Sequence, residues 1–250
     1  MAAMVRAIDA ARARAAGFTV TACGVAIPAP FDYAAGVPYM KHKFRAIYGV
    51  ELGTLLRAKT GLPVHFVNDA AAFGLGAGWR QLPDTNRFVA LTIGTGLGAG
   101  FIENGEIVDD DDRVPPAGQV WDLPYEDGIL EDYVSARAVT SLYSKLSPGE
   151  RRSARDVSEL AARGSRPALE AYRAMGIALG RGLAPVFARF APEVVVIGGK
   201  VAHSLELFGP ATEEEMAAAG LPHLPVLAAA SENMAILGAA RYSLTHGSKA

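Results

Sequence analysis

The chain has 250 residues, half of them hydrophobic, and a net charge of −2. That length permits one large domain or two modest ones with a real core, and the charge gives no electrostatic case for nucleic acid or an anionic membrane. A single cysteine, Cys23, excludes a disulfide framework, fits a reducing, cytoplasmic setting and reads as a small buried hydrophobe. The N-terminal stretch, residues 2–16, places Met4, Val5, Ile8 and Ala11 on one side and Arg6, Asp9 and Arg12 elsewhere. This spacing predicts an amphipathic helix ended by Gly17, not a signal segment, and no apolar run reaches membrane-spanning length.

A strand is expected over Thr19–Ile27, stopped by Pro28-Ala29-Pro30. Residues 31–50 read as loop with a basic cluster, Lys41-His42-Lys43 and Arg45, that either faces an anion or is simply solvated. A short helix over Glu51–Lys59, capped by Gly61, leads into an apolar strand, Leu62 to Val67, that ends on Asn68 and Asp69. His65 reads as a strand residue on one sheet face, not a ligand. Ala70–Trp79 then reads as helix. A strand end feeding a helix is where α/β sheets place ligands, so Asn68 and Asp69 are candidates for substrate binding and general base. An Asn/Asp helix cap is the structural alternative.

Pro83–Asn86 is the best domain boundary, dividing the chain into 1–86 and 87–250. Beyond it, Leu91–Ile102 carries glycines 94, 96, 98 and 100 at alternate positions with the Thr95 hydroxyl among them. The pattern predicts a β-hairpin with a glycine turn, either a bare hairpin or a concave row of amides suited to a phosphate. No Gly-Lys-Ser/Thr follows, which excludes a Walker A loop, and the second strand argues against a dinucleotide fingerprint. Asn104-Gly105 predicts a two-residue hairpin turn. The acidic run Asp109–Asp112 lacks the spacing of a calcium loop and reads as a solvated turn. Helices are expected from Gly128–Ser135 onward through 136–164, with a break at Ser147-Pro148-Gly149, and over Pro167–Phe190 and Thr212–Gly220. Glycines 176, 180 and 182 inside the long helix imply close packing against another element or a ligand. Glu193–Ile197 reads as a buried strand running into the Gly198-Gly199 turn, a place for a nucleotide. Pro225–Ala229 reads as a strand and Met234–Ser243 as a final helix.

Taken together and in this order, these stretches resemble the ROK family of sugar kinases and sugar-responsive repressors. Gly24–Asp32 is similar to the family's Gly-Ile-Gly-x-Pro-Gly-Pro-Val-Asp, and Val67–Ala72 to its Asn-Asp-Ala-Asn-Ala-Ala motif. Thr92–Ile102 resembles its second phosphate loop, and Val195–Gly199 its nucleotide-side turn. The resemblance implies an α/β, actin-like ATPase (ribonuclease H-like) fold with two domains and a cleft, the last helix packing back on the first domain. It implies transfer of a phosphoryl group from ATP, with Mg2+, to a hydroxyl of a hexose or amino sugar. Asp69 would be the general base and Asn68 a sugar ligand; Gly94, Thr95, Gly96, Gly98, Gly198 and Gly199 would hold the nucleotide. Family members are often homodimers.

Departures from the family pattern are equally specific. Its sugar-binding Gly-Glu-Ile-Gly-His corresponds to Gly118–Asp122, so Gln119 stands for the glutamate and Asp122 for the histidine. Its cysteine cluster is replaced by Pro124–Leu130, so no zinc is expected. Glu131 matches the glutamate that contacts the sugar. The family's first phosphate loop, Asp-x-Gly-Gly-Thr, has no counterpart, so a shortened N-terminal domain is expected, with Thr19–Ile27 lacking its inner neighbour. The readings left open are a kinase, a non-catalytic sugar-binding or regulatory homologue, or an inactive piece of a longer kinase. A phosphotransferase acting on a non-sugar is the weakest.

Overall fold

In a computed structural model, residues 2–41, 44–149, 152–221 and 224–247 are described. Part of the basic cluster, His42-Lys43, lies outside them. Helix α1 (Ala2–Arg14) leads to β1 (Cys23–Ile27), which pairs in parallel with β4 (Val64–Asn68) from Cys23↔Val64 to Ile27↔Asn68. Between them lie the short hairpin β2 (Phe31–Asp32) and β3 (Val37–Pro38) and helix α2 (Leu52–Thr60). Among the described residues β1 has no strand on its other edge, and the expected strand over Thr19–Ala22 forms no ladder. Cys23 is therefore only half-buried, at the start of an edge strand, and not the core residue expected. One side of this sheet packs Ile27, Val64 and Phe66 against Leu52 and Leu56 of α2 and the half-buried Met4, Val5 and Ile8 of α1.

Helix α3 (Asp69–Arg80) crosses from this sheet to a second one, whose strand order is β11-β10-β5-β6-β7. Its members are β5 (Arg87–Ile93), β6 (Leu97–Glu103), β7 (Glu106–Ile107), β10 (Val194–Gly198) and β11 (Val226–Ala228). The two strands β10 and β11 run parallel to β5, while β6 is antiparallel to β5 and β7 antiparallel to β6. Alternation is strict. Val89, Leu91 and Ile93 of β5 and Val195 and Ile197 of β10 enter one core, while Phe88, Ala90, Val194 and Val196 enter the other, under α3. Asn104 and Gly105 both have positive φ (52° and 77°), as the two-residue turn requires.

The segment after β7 differs from expectation. Gly128-Ile129 pair with Pro124-Tyr125 as a small hairpin, β8 (Pro124–Tyr125) and β9 (Gly128–Ile129), and helix α4 is only Leu130–Tyr133. Then come α5 (Ala136–Leu146), α6 (Ala154–Ala162), α7 (Arg166–Phe190), α8 (Leu205–Ala218) and α9 (Met234–Gly247). The α8 helix starts at Leu205 and not at Thr212, because it runs through Pro210. Gly176 and Gly180 of α7 touch the Phe208 and Thr212 carbonyls of α8, the close packing their presence implied. Helix α9 lies on α3 and on β1: Gly76 of α3 meets the Met234 carbonyl, Gly238 meets the Ala72 carbonyl, and Gly24 of β1 meets Ala239. Among the described residues no helix is long and apolar enough to cross a membrane.

Candidate active site

The junction of β4 and α3 uses the two polar residues differently. Asn68 is the N-cap: its Oδ1 accepts from the Ala70 and Ala71 N–H groups at 2.9 and 3.1 Å. Its Nδ2 donates to the Tyr33 hydroxyl at 3.1 Å, and that hydroxyl donates to the Ile27 carbonyl at 3.1 Å. Burial pushes Tyr33 up to about 12; the Asn68 bond opposes this and the nearby Asp69 charge adds to it. Tyr33 thus remains a neutral phenol that locks Asn68. Asp69 sits in the first turn of α3, exposed, with Oδ1 accepting from the Ala70 N–H at 3.0 Å. Its carboxylate lies at the N-terminal, positive end of the α3 dipole.

The glycine hairpin divides into two halves with different jobs. Gly98 and Gly100 lie within β6, not in the turn, on the face that carries Ile102 toward α3. A Cβ on Gly98 would come within 2.7 Å of Thr92 Oγ1 and 2.9 Å of Ala70 Cβ; one on Gly100 would come within 2.6 Å of the Ala70 oxygen. These glycines let the first turn of α3 lie directly on β6, which brings Asp69 beside the loop. The turn itself is Gly94-Thr95-Gly96, closed by Gly94 N–H to Gly96 O at 2.9 Å and docked by Ala136 N–H to Gly94 O at 2.8 Å. The Leu97 N–H donates to Glu131 Oε2 at 2.9 Å. The row of amides is therefore partly engaged inside the protein, and the N–H groups of Thr95 and Gly96 have no partner among the described residues.

A cleft of about 610 Å³ opens where the strand ends meet. Asp69 and Phe73 of α3, Thr92 of β5, and Gly198, Gly199 and Lys200 after β10 line one part; His203, Glu206, Ser231 and Glu232 line the rest. Gly198 is paired with Thr92 across the β10–β5 ladder, so both strands end at the same level. At Gly199 φ is +86°, and a Cβ there would collide with the Ile93 carbonyl, so the turn packs onto the end of β5. The structure thus brings Asp69 and the Gly198-Gly199 turn into one cleft, with the glycine loop attached through Gly98.

The remaining candidates stand apart from that lining. Gln119 Oε1 accepts from Trp121 Nε1 at 3.2 Å, and Asp122 is exposed. Glu131 is half-buried; besides holding Leu97, it donates its own N–H to the Trp121 carbonyl at 3.0 Å, tying the 119–131 segment to the glycine loop. Tyr33, Lys200, His203 and Glu232 were missed in the sequence. Lys200 carried a signal, its place directly after a strand-end glycine pair, whereas Tyr33 reaches Asn68 across 35 residues of chain and carried none. Among the described residues no group of three or more His, Cys, Asp or Glu is placed to hold a metal ion.

Comparison with known proteins fits this geometry. The chain is 31% identical over 215 residues to the glucokinase of Thermotoga maritima, covering 76% of this chain and 68% of that protein. It is 31% identical over 175 residues to the N-acetyl-D-glucosamine kinase of Vibrio parahaemolyticus, covering 62% of this chain and 57% of that kinase. The fold matches a ROK family glucokinase from Streptomyces griseus, solved in complex with glucose and AMPPNP, with a TM-score of 0.73, 22% identity, and coverage of 97% of this chain and 88% of that one. The architecture is accordingly the actin-like ATPase fold. The ROK family model matches residues 1–245, and the chain belongs to the ROK family.

Proposed function

We propose that this chain transfers the γ-phosphoryl group of ATP to a hydroxyl of a hexose or amino sugar. The observation that carries the reading is Asp69. It is an exposed carboxylate at a strand–helix junction, in the same cleft as the Gly198-Gly199 turn. Phosphoryl transfer demands positioning and charge neutralisation more than covalent chemistry. Asp69 accepts the proton of the attacking hydroxyl, and Asn68 orients the sugar once its Nδ2 turns from Tyr33. Gln119, Asp122 and Glu131 complete the sugar side. The loop Gly94–Gly98, with Thr95, receives the phosphates, and Gly198, Gly199 and Lys200 receive the nucleotide. Magnesium would come with the nucleotide's phosphates; such an ion takes one or two carboxylates besides phosphate oxygens, and Glu206 and Glu232 line the same cleft as Asp69. The two sheets form two lobes, residues 1–86 and 87–250, with α9 returning to the first.

The test is ADP release by the folded chain with MgATP across hexoses and amino sugars, repeated with Asp69→Asn. Loss of a general base lowers kcat by about 10²–10⁴-fold. No ADP release with any sugar, or an Asp69→Asn variant as fast as the parent, overturns the assignment. The replacements at Gln119 and Asp122 favour a second reading, sugar binding without turnover. Calorimetric sugar binding with no ADP release identifies it.

A further inference from the structure

Away from the cleft, a second pocket of about 310 Å³ lies along β4. It is lined by Tyr33, by Arg57 of α2, by His65 of β4 and by Tyr242 and His246 of α9, with no Asp or Glu among its lining residues. Arg57 is exposed and has no ion-pair partner among the described residues. Both rings are fixed in place. His65 Nδ1 meets Ser243 Oγ at 2.8 Å, and His246 stacks on Tyr242 with ring centroids 4.0 Å apart. His246 Nδ1 lies 3.0 Å from the Tyr242 carbonyl. The Thr245 hydroxyl lies 3.0 Å from the same Nδ1; the Tyr242 carbonyl only accepts, so Nδ1 donates to it and Nε2 is the nitrogen left for a ligand.

The charged groups around the rings are Arg57 from α2 and His65 and His246 themselves, with Asp109 and Glu106 felt more distantly at Tyr242. Burial lowers the His65 pKa, and His246 and Arg57 lower it further. Arg57, and the two imidazoles when they are protonated, thus put positive charge into one concavity with no carboxylate in its lining, which favours an anion. The pocket also adjoins the catalytic junction, because the Tyr33 hydroxyl accepts from Asn68.

We propose that this pocket binds a tetrahedral oxyanion of the sulfate–phosphate class, taken up together with protons on His65 and His246. The ligand is either the free ion or the phosphoryl group of a phosphate monoester. Binding favours the protonated rings, so it raises their titration midpoints, and affinity falls as pH rises through those midpoints.

Sulfate is the first probe, because it stays dianionic while histidine titrates. The histidine Cε1–H resonances of the full chain are followed against pH in sodium sulfate and in sodium chloride of equal ionic strength. Sulfate is expected to raise the His65 and His246 midpoints by about half a pH unit or more, equivalent to about threefold tighter binding to each protonated ring. Arg57→Gln should erase the effect, and His246→Gln should reduce it at His65. Midpoints that move no further in sulfate than in chloride, or as far in Arg57→Gln as in the parent, overturn the proposal. Inorganic phosphate and a hexose phosphate then separate the sources. Shifts at lower concentration with the hexose phosphate assign the site to a monoester, and equal concentrations assign it to the free ion.

Discussion

Gly96 and Gly100 stand four residues apart in one motif, yet they meet different neighbours. A Cβ on Gly96 would press on Glu131 Oε2, the free end of a side chain that can swing aside; one on Gly100 would press on the Ala70 carbonyl and the Ala71 Cα, which cannot. Gly100→Ala is expected to cost about 1–3 kcal/mol, as overpacking against backbone does, and Gly96→Ala less, because the end of a flexible side chain and not backbone gives way. Urea unfolding of the two variants checks the order; equal losses would remove the distinction between turn and packing glycines. The sequence pattern showed four alternate glycines but not this division, because packing of α3 on β6 is a tertiary fact. Asn68 was similarly half legible. Capping and substrate binding stood as alternatives there, and the side chain caps with Oδ1 while Nδ2 is held by Tyr33.

Among the elements, the β5–β6–β7 meander is fastened at its far end by charge. Glu103 accepts from Arg87 at 3.2 Å and from Arg113 at 2.7 and 3.0 Å, and Arg113 also binds Asp111 at 2.8 Å. The Arg113 guanidinium further lies 5.7 Å from the centre of the Phe190 ring. Hydrogen bonding to Arg113 lowers Glu103, and it holds Asp111 at about 2. Depressed carboxylates stabilise the fold above their ordinary range, and that contribution is lost as pH falls through the folded value. Between about pH 5 and 2 the parent should therefore lose this increment, while Arg113→Gln, which never had it, loses less. The gap between their urea midpoints should narrow on acidification, and a constant gap would dismiss the linkage. The solvated turn expected at Asp109–Asp112 thus contains one working member, Asp111. Long periodic elements such as α7 and the buried runs β4, β5 and β10 could be read from sequence. The two-residue strands β8 and β9 could not, since two residues carry no period, and Pro210 hid the first two turns of α8.

For the molecule as a whole, the glycine crossing of α3 and α9 decides how its halves are joined. Gly238 admits the Ala72 carbonyl and Gly76 admits that of Met234, so a side chain at either place would push α9 off both α3 and β1. Gly238→Val should cost more than the roughly 1–3 kcal/mol typical of overpacking, because it disturbs the core under Val67, Ala71, Ala72 and Ala239 as well as the helix pair. Hydrogen exchange of β1 and β4 should rise with it; unchanged protection of these strands would show that α9 does not support them. The overall α/β architecture followed from the order of motifs in the sequence. The return of α9 to β1 rested on resemblance alone, because glycines in two helices far apart in sequence do not announce that they touch.

That crossing also separates the order of synthesis from the order of assembly. As the polypeptide leaves the ribosome, β1, β4 and α3 are complete once Arg80 has emerged, yet the helix that covers them begins only at Met234. The small-residue face of the nascent sheet must stay uncovered while the whole second sheet is made, an exposure of the kind that draws chaperones to multidomain chains.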